Sequence, residues 1–404
     1  MKISQNKKER LEYMMRKRSA MVFYVAAAVT TGLIGCTSNQ SSDPHFQAAQ
    51  SLPSHTQASF AEYINQTQQW LETNRIFMSA DKQSELNQIL PREYRPAEPN
   101  GQGVLLVHGL GDSPYSFVDV ATHLAEQGYL VRTVLLPGHG SKVGDLQLPS
   151  LDEWQSVVAH HTELLKQEVD SVWLGGYSTG ANLATSQAIT DNEIGGLLLF
   201  SPAFEPGSSL VGFADIASYF VTWADQDKED NPLRYNSLPM NAAAVYYQTS
   251  EVVRNQLQEA NYQKPVFMLM SEGDKVINTK FAIDTFSQHM PNPSNMIVWQ
   301  GEEGISDPRS TRFSMKLPEQ RISNGSHMGL LFSPTNPNYG IGGRNIICDN
   351  GQTAANETSC AGGEQIWYSA WGYSEAGKYH ARLTYNPYFD QSMAIMDKVM
   401  AQPL

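Results

Sequence analysis

Residues 172–183 read Val-Trp-Leu-Gly-Gly-Tyr-Ser-Thr-Gly-Ala-Asn-Leu: a short apolar run, a turn holding three glycines, and the start of a helical pattern. Val172 to Gly175 has the length and composition of a buried strand, and Ala181 to Ile189 has helical spacing. Gly176-Tyr177-Ser178-Thr179-Gly180 joins them. A strand passing into a helix within so few residues must turn sharply. The flanking glycines let the two approach, and the turn lifts the Ser178 hydroxyl off the sheet. An ordinary glycine turn is the alternative.

Working outward, the same rhythm recurs on both sides. Upstream stand a predicted strand Gly103 to Val107, a helix Phe117 to Glu126, a strand Tyr129 to Leu136 and an amphipathic helix Leu151 to Val169 with Trp154, Val157, Val158, Leu164 and Leu165 near one face. Downstream stand strands Gly196 to Phe200, Pro265 to Met270 and Asn295 to Trp299, a short strand near Gln320 to Ser323, and helices near Lys280 to His289 and Gln391 to Met400. Strands alternating with helices of this length imply an α/β fold with a mostly parallel sheet covered on both faces. The rhythm breaks twice after strand 196–200. Residues 204–263 are rich in aromatics and read as a helical cap inserted over the site; residues 334–381 are a long Gly- and Asn-rich insertion. Gln300 to Glu319 reads as a further, smaller insertion. The 404 residues, 41% hydrophobic, suffice for one large core.

Serine is a weak nucleophile near neutral pH and needs a base held by an acid. Asp274 lies just beyond the strand ending at Met270, where a carboxylate would project from the sheet edge; Glu272 competes with it, and Asp284 falls inside the following helix. His327, in Ser-Asn-Gly-Ser-His-Met-Gly, stands in a glycine- and serine-rich turn after the last predicted strand, a placement that none of the other histidines shares.

With these residues together, the chain resembles the α/β-hydrolases of the monoglyceride lipase, lysophospholipase and serine aminopeptidase group. The resemblance rests on His108-Gly109-Leu110-Gly111, on Leu136-Pro137-Gly138-His139-Gly140 and on Gly176 to Gly180, and covers about residues 100 to 333. It implies a Ser178, Asp274, His327 triad and an oxyanion hole formed by the backbone N–H groups of Leu110 and Thr179, with His108 packing the turn. It also implies hydrolysis of carboxylic esters, small or acyl lipid-like, with no metal and no organic cofactor. Two departures stand out: Ala181-Asn182 replaces a glycine often found after the elbow, and 53 positions separate Asp274 from His327. An aminopeptidase or amidase with the same triad is the first alternative, and Asp225, Asp227, Glu229 and Asp230 would be its candidates for amine recognition. A silent surface lipoprotein on a hydrolase scaffold is the second.

The N-terminus carries its own signal. Lys7, Lys8, Arg10, Arg16, Lys17 and Arg18 precede an apolar run, Met21 to Ile34, that ends at Cys36. The run is short of the roughly 20 residues that span a bilayer, so an export signal (1–35) is expected rather than a transmembrane helix. Leu33-Ile34-Gly35-Cys36 resembles the lipobox of bacterial lipoproteins. That resemblance implies lipidation of Cys36 and attachment of an extracytoplasmic body to the cell envelope, at the outer membrane in a Gram-negative cell. Residues 36–56 then read as a flexible tether ahead of the body, 57–404. An uncleaved signal anchor is the alternative. The formal charge of −13 excludes the basic face that nucleic acid binding requires. In an oxidising compartment Cys348 and Cys360 are expected to pair, a metal site or catalytic thiol being the alternatives.

Overall fold

Among the described residues there are twelve strands: β1 (Arg92–Tyr94), β2 (Gln102–Val107), β3 (Leu130–Val134), β4 (Ser171–Tyr177), β5 (Ile194–Phe200), β6 (Trp223–Asp225), β7 (Leu238–Pro239), β8 (Val266–Ser271), β9 (Met296–Gln300), β10 (Ser310–Phe313), β11 (Ile366–Ser369) and β12 (Tyr379–Arg382). Eight form one sheet in the order β1-β3-β2-β4-β5-β8-β9-β10, parallel throughout except for antiparallel β1. The computed structural model describes residues 43–402 apart from Glu364, and the body treated below begins at His45. Cys36 and the predicted leader lie outside the described residues. Among the described residues no helix is long and apolar enough to cross a membrane.

Side chains of a strand point alternately to opposite faces, so a strand buried on both sides feeds two cores. Leu105, Val107, Val172, Leu174, Leu197, Leu199, Met268 and Ile297 enter one core with the helices Leu151–Lys166, Thr179–Thr190, Met240–Glu259 and Thr279–His289. Val104, Leu106, Trp173, Leu198, Phe200, Phe267 and Val298 enter the other with the helices Val118–Glu126 and Phe389–Met400. Each such side chain contributes roughly 1.5–3 kcal/mol by leaving water. Packing between β4 and β5 is close enough that a Cβ on Gly196 would come within 2.2 Å of the Trp173 ring. Alanine at 196 would force that fully buried indole out of place.

Three elements differ from expectation. Gln300 to Glu319 contains β10, the edge strand, whereas Gln320 to Ser323 joins no sheet. Ser-Thr-Arg-Phe pairs with β9 on one side only and so needs no apolar run, which hid it from a hydrophobicity reading. Ile322 makes only isolated bridges to Leu317 and Tyr368, because Arg321 beside it sits at φ 55° and breaks the extended backbone. Polar β1 was likewise invisible. Residues 45–56 lack regular strands or long helices but pack on the body: Phe46 meets Trp223 edge to face at 5.1 Å, and the Ala49 amide donates to Asp145.

The inserted segments have structure of their own. Within 204–263 the helix Met240–Glu259 follows a two-stranded ribbon of β6 and β7, and the short turns over Ser209–Ser218 precede it. The 334–381 segment holds the helix Ala354–Ala361, a parallel pair β11 and β12 that runs on to Arg382, and the bonded Cys348–Cys360 disulfide.

Candidate active site

The turn from β4 into the helix Thr179–Thr190 holds Ser178 at φ 54°, ψ −117°, a conformation that costs an L-residue of order 1–3 kcal/mol. The surroundings impose it. The Ser178 amide donates to the Phe200 carbonyl at 3.0 Å, and its own carbonyl accepts from Ala181 and Ala203. A Cβ at Gly176 would lie 2.3 Å from the Gly180 carbonyl carbon, and one at Gly180 would lie 2.0 Å from the Val107 oxygen. Only glycine fits at either place, which is the physical content of the five-residue motif.

Asp274 and His327 meet beside this turn. His327 Nδ1 lies 2.5 Å from Asp274 Oδ2. Asp274 Oδ1 accepts from the amides of Val276 and Ile277, at 2.8 and 3.3 Å, so the carboxylate is held from two sides. Ser201 completes the set: its hydroxyl donates to Asp274 Oδ2 at 3.0 Å, from a backbone at φ 40°. Sequence reasoning missed Ser201, and the Ser-Pro that ends β5 was the signal present. Glu272 is excluded as the partner, because its carboxylate accepts from the amides of Glu302 and Glu303. Asp284 pairs with Lys280 on an exposed helix face. Tyr177 packs its ring 4.9 Å from the imidazole of His327 and donates its hydroxyl to the His327 carbonyl at 3.3 Å.

The glycine turn after β2 is fixed by a reciprocal pair of histidines. His108 Nε2 accepts the Leu136 amide at 3.0 Å, and His139 Nε2 accepts the Gly111 amide at 3.0 Å. Their rings meet edge to face at 4.8 Å. Both are buried, and burial holds His139 down near pKa 4 and His108 well below its ordinary range. Both therefore stay neutral and able to accept. Leu110 and Thr179, which both line the cavity, keep backbone N–H groups with no acceptor among the described residues. Asn182, the departure from the usual glycine, is buried and donates to the Ala203 carbonyl at 2.8 Å and to Thr249 Oγ1 at 3.0 Å. It ties the elbow helix to the cap helix Met240–Glu259.

Ser178, His327, Leu110 and Thr179 line one cavity of about 300 Å³. The cap adds Asp225, Arg234 and Tyr246, the long insertion adds Trp371, and the last residue of β12 adds Arg382. Of the four acidic cap residues considered for amine recognition, only Asp225 lines it. Glu229 accepts from the Asn236 and Ser237 amides, and Asp230 pairs with Lys228.

Comparison with known proteins agrees with this architecture. A thermostable monoacylglycerol lipase of Bacillus sp. (strain H-257) is 31% identical over 109 residues, which is 27% of this chain and 44% of that protein. The chain thus matches less than half the length of that relative. A monoacylglycerol lipase of Paleococcus ferrophilus superposes with a TM-score of 0.44 at 19% identity, over 55% of this chain and 88% of that one. A soluble variant of monoglyceride lipase from Saccharomyces cerevisiae superposes with a TM-score of 0.43 at 16% identity, over 52% and 81%. Residues 98–299 match the family described as "Serine aminopeptidase, S33". That match spans half of the chain, from the strand before the His108 turn to the strand after Asp274, and the chain belongs to this family of the α/β-hydrolase fold.

Proposed function

We propose that the protein hydrolyses carboxylic esters through an acyl-enzyme on Ser178. One observation carries this reading: the 2.5 Å Asp274–His327 pair opens into the same cavity as a serine held in a strained elbow. His327 Nε2 takes the proton as Ser178 Oγ attacks the carbonyl carbon. Asp274 accepts from Nδ1–H, fixing the tautomer and stabilising the imidazolium. The Leu110 and Thr179 amides receive the oxyanion, each contributing roughly 3 kcal/mol to the transition state. His327 then protonates the departing alcohol, and water repeats the sequence on the acyl-enzyme.

An apolar surface on the cap supports acyl, lipid-like esters. Leu210, Phe213, Ile216, Tyr219 and Phe220 are each more than half exposed along one short stretch, an unusual concentration for a surface facing only water. The Bacillus relative named a monoacylglycerol lipase points the same way. An aminopeptidase would have to place a substrate ammonium in a cavity that already holds Arg234, Arg382 and Lys275. Asp225 at the rim and half-buried Asp112 are the lining carboxylates that support that second reading.

A fluorophosphonate probe on the full-length protein tests the nucleophile: labelling is expected in the wild type and lost in Ser178→Ala. Folded wild-type protein that takes no label would make the chain a silent scaffold. Faster cleavage of aminoacyl anilides than of p-nitrophenyl acyl esters would replace the esterase by an aminopeptidase. The lipobox-like Leu33-Ile34-Gly35-Cys36 further supports export and lipid attachment at Cys36. Mass analysis of the mature amino terminus from bacterial membranes is expected to find a diacylglyceryl cysteine; an unprocessed Met1 would overturn this.

A further inference from the structure

Three arginines drawn into the body have carboxylate partners, and half-buried Arg254, away from the cavity, lies over the Tyr247 ring instead. Arg75 pairs with Glu85, Arg132 with Glu93 and Glu168, and Arg309 with Asp307. Arg234 and Arg382 do not: among the described residues neither has a carboxylate within ion-pair distance, and both line the cavity of Ser178 and His327. Arg234 Nη1 reaches only Met328 Sδ, at 3.1 Å. Arg382 donates to neutral oxygens, Asn350 Oδ1 at 3.2 Å and the Asp349 carbonyl at 2.9 Å. Burial, and then the neighbouring charge of Arg234, pull the Arg382 guanidinium down to about 10. Asp112 also lines the cavity; burial lifts its carboxyl to about 6 even with Arg234 nearby, so at neutral pH it is mostly ionised and offsets one of the two cations, leaving the pair with an excess positive charge. Lys275 and Asp225 stand exposed at the rim and offset each other. Two close, half-buried cations that share the cavity with one half-buried carboxylate and form no ion pair carry an electrostatic cost that an arriving anion would relieve.

Their position says which half of the substrate bears that anion. Met328 follows His327 directly, so the Arg234 guanidinium sits beside the turn that carries the general acid. The leaving oxygen must come within hydrogen-bond reach of His327 to be protonated. Groups bordering His327 therefore border the alcohol rather than the acyl chain. Resting on the ester-hydrolase reading above, we propose that the preferred substrate is an acyl ester whose alcohol carries an anionic group, phosphate or carboxylate, received by Arg234 and Arg382.

Three soluble hexanoyl esters test this with the full-length protein: 1-hexanoylglycerol, 1-hexanoylglycerol 3-phosphate and 3-hexanoylglycerate. Charge-assisted hydrogen bonds of this kind correspond to roughly tenfold or more in kcat/KM, so an anionic ester is expected to exceed the neutral one by about that factor. A preference for the phosphate alone assigns a phosphate-bearing alcohol, and a preference for both anionic esters assigns the shared charge. The ratio of anionic to neutral kcat/KM is expected to fall about tenfold in Arg234→Gln and to recover partly in Arg234→Lys. Arg382→Gln is expected to act likewise; because Arg382 also holds the insertion, Arg234 and the wild type decide the matter if that variant fails to fold. Equal kcat/KM for all three esters overturns the proposal while leaving the esterase reading intact, as does a preference that survives in Arg234→Gln. Fluorophosphonate labelling of Ser178 without cleavage of any ester overturns the esterase reading itself, and this proposal with it.

Discussion

The Gly111 amide donates to His139 Nε2 at 3.0 Å, across 28 positions of sequence, so the glycine turn after β2 is positioned by a histidine from the loop after β3. His139 touches no reacting atom in the proposed mechanism. It fixes the turn that aims the Leu110 amide.

His139→Phe keeps a ring against Trp154 and Tyr235 but leaves the buried Gly111 N–H without an acceptor, a loss of about 1–3 kcal/mol. The expected result is a kcat on p-nitrophenyl hexanoate about 10–100-fold below wild type, with KM nearly unchanged. His139→Gln, which offers an acceptor, should recover part of it. A rise confined to KM, with kcat unchanged, would mean that His139 shapes binding and not the oxyanion site.

Ser201 invites a pair of substitutions with opposite structural consequences. Its hydroxyl donates to Asp274, and its φ of 40° is strained for any residue bearing a Cβ. Ser201→Ala keeps the strain and loses a hydrogen bond to a carboxylate, about 1.5–3 kcal/mol. Ser201→Gly loses the same bond but relieves the strain. Both should lower kcat by about tenfold, while thermal unfolding should drop in the alanine variant and stay near wild type in the glycine variant. Wild-type kcat in Ser201→Ala would show that the bond does not support Asp274.

The residues legible in the sequence were those whose chemistry or periodicity is local. Gly176 to Gly180 and the apolar strands around it announce the elbow because sterics at Gly176 and Gly180 admit nothing else. Asp274 could be picked by strand position, and His327 by chain order and its glycine- and serine-rich turn although the strand expected before it joins no sheet; the two lie in contact. Ser201 and Arg382 escaped, and His139 stood in a quoted motif without a role, because their roles exist only across the fold: each acts on a residue at least 28 positions away. Edge strands β1 and β10 escaped for a different reason. A strand paired on one side carries too little apolar surface to show an alternating pattern.

Acid should destabilise the fold before its carboxylates are protonated. Burial depresses His55 to about 4, His139 to about 4 and His161 to about 3, from ordinary values near 6.5. A histidine whose folded pKa is lowered binds its proton first in the unfolded chain. Its contribution is therefore intact above pH 6.5 and is lost as pH falls toward the folded value, on the order of 3 kcal/mol for each group. Asp112 works in the other direction: raised by burial from 3.8 to about 6, it gains stability on protonation over part of the same window. Three histidines outweigh one carboxyl. The urea midpoint should fall steadily from pH 7 to pH 5; a flat or rising midpoint would mean that the buried imidazoles are hydrated.

The disulfide reaches the cavity through its neighbour in sequence. Cys348 precedes Asp349 and Asn350, whose carbonyl and side-chain oxygens receive the Arg382 guanidinium, and the Arg382 amide donates to the Ile347 carbonyl at 2.8 Å. The Cys348–Cys360 bond thus anchors the short segment that points Arg382 into the cavity. Closing a loop of this size contributes about 3 kcal/mol by restricting the unfolded chain. Replacing both cysteines by serine should lower the unfolding temperature and also release Asp349 and Asn350 from their register with β12. Arg234, held from the cap and the His327 turn, would be untouched. Anionic and neutral ester kinetics should therefore diverge in the double variant: the preference for the anionic ester should fall, while fluorophosphonate labelling of Ser178 persists. An unchanged preference in a folded double variant would mean that Arg382 is positioned by β12 alone and that the disulfide serves stability only.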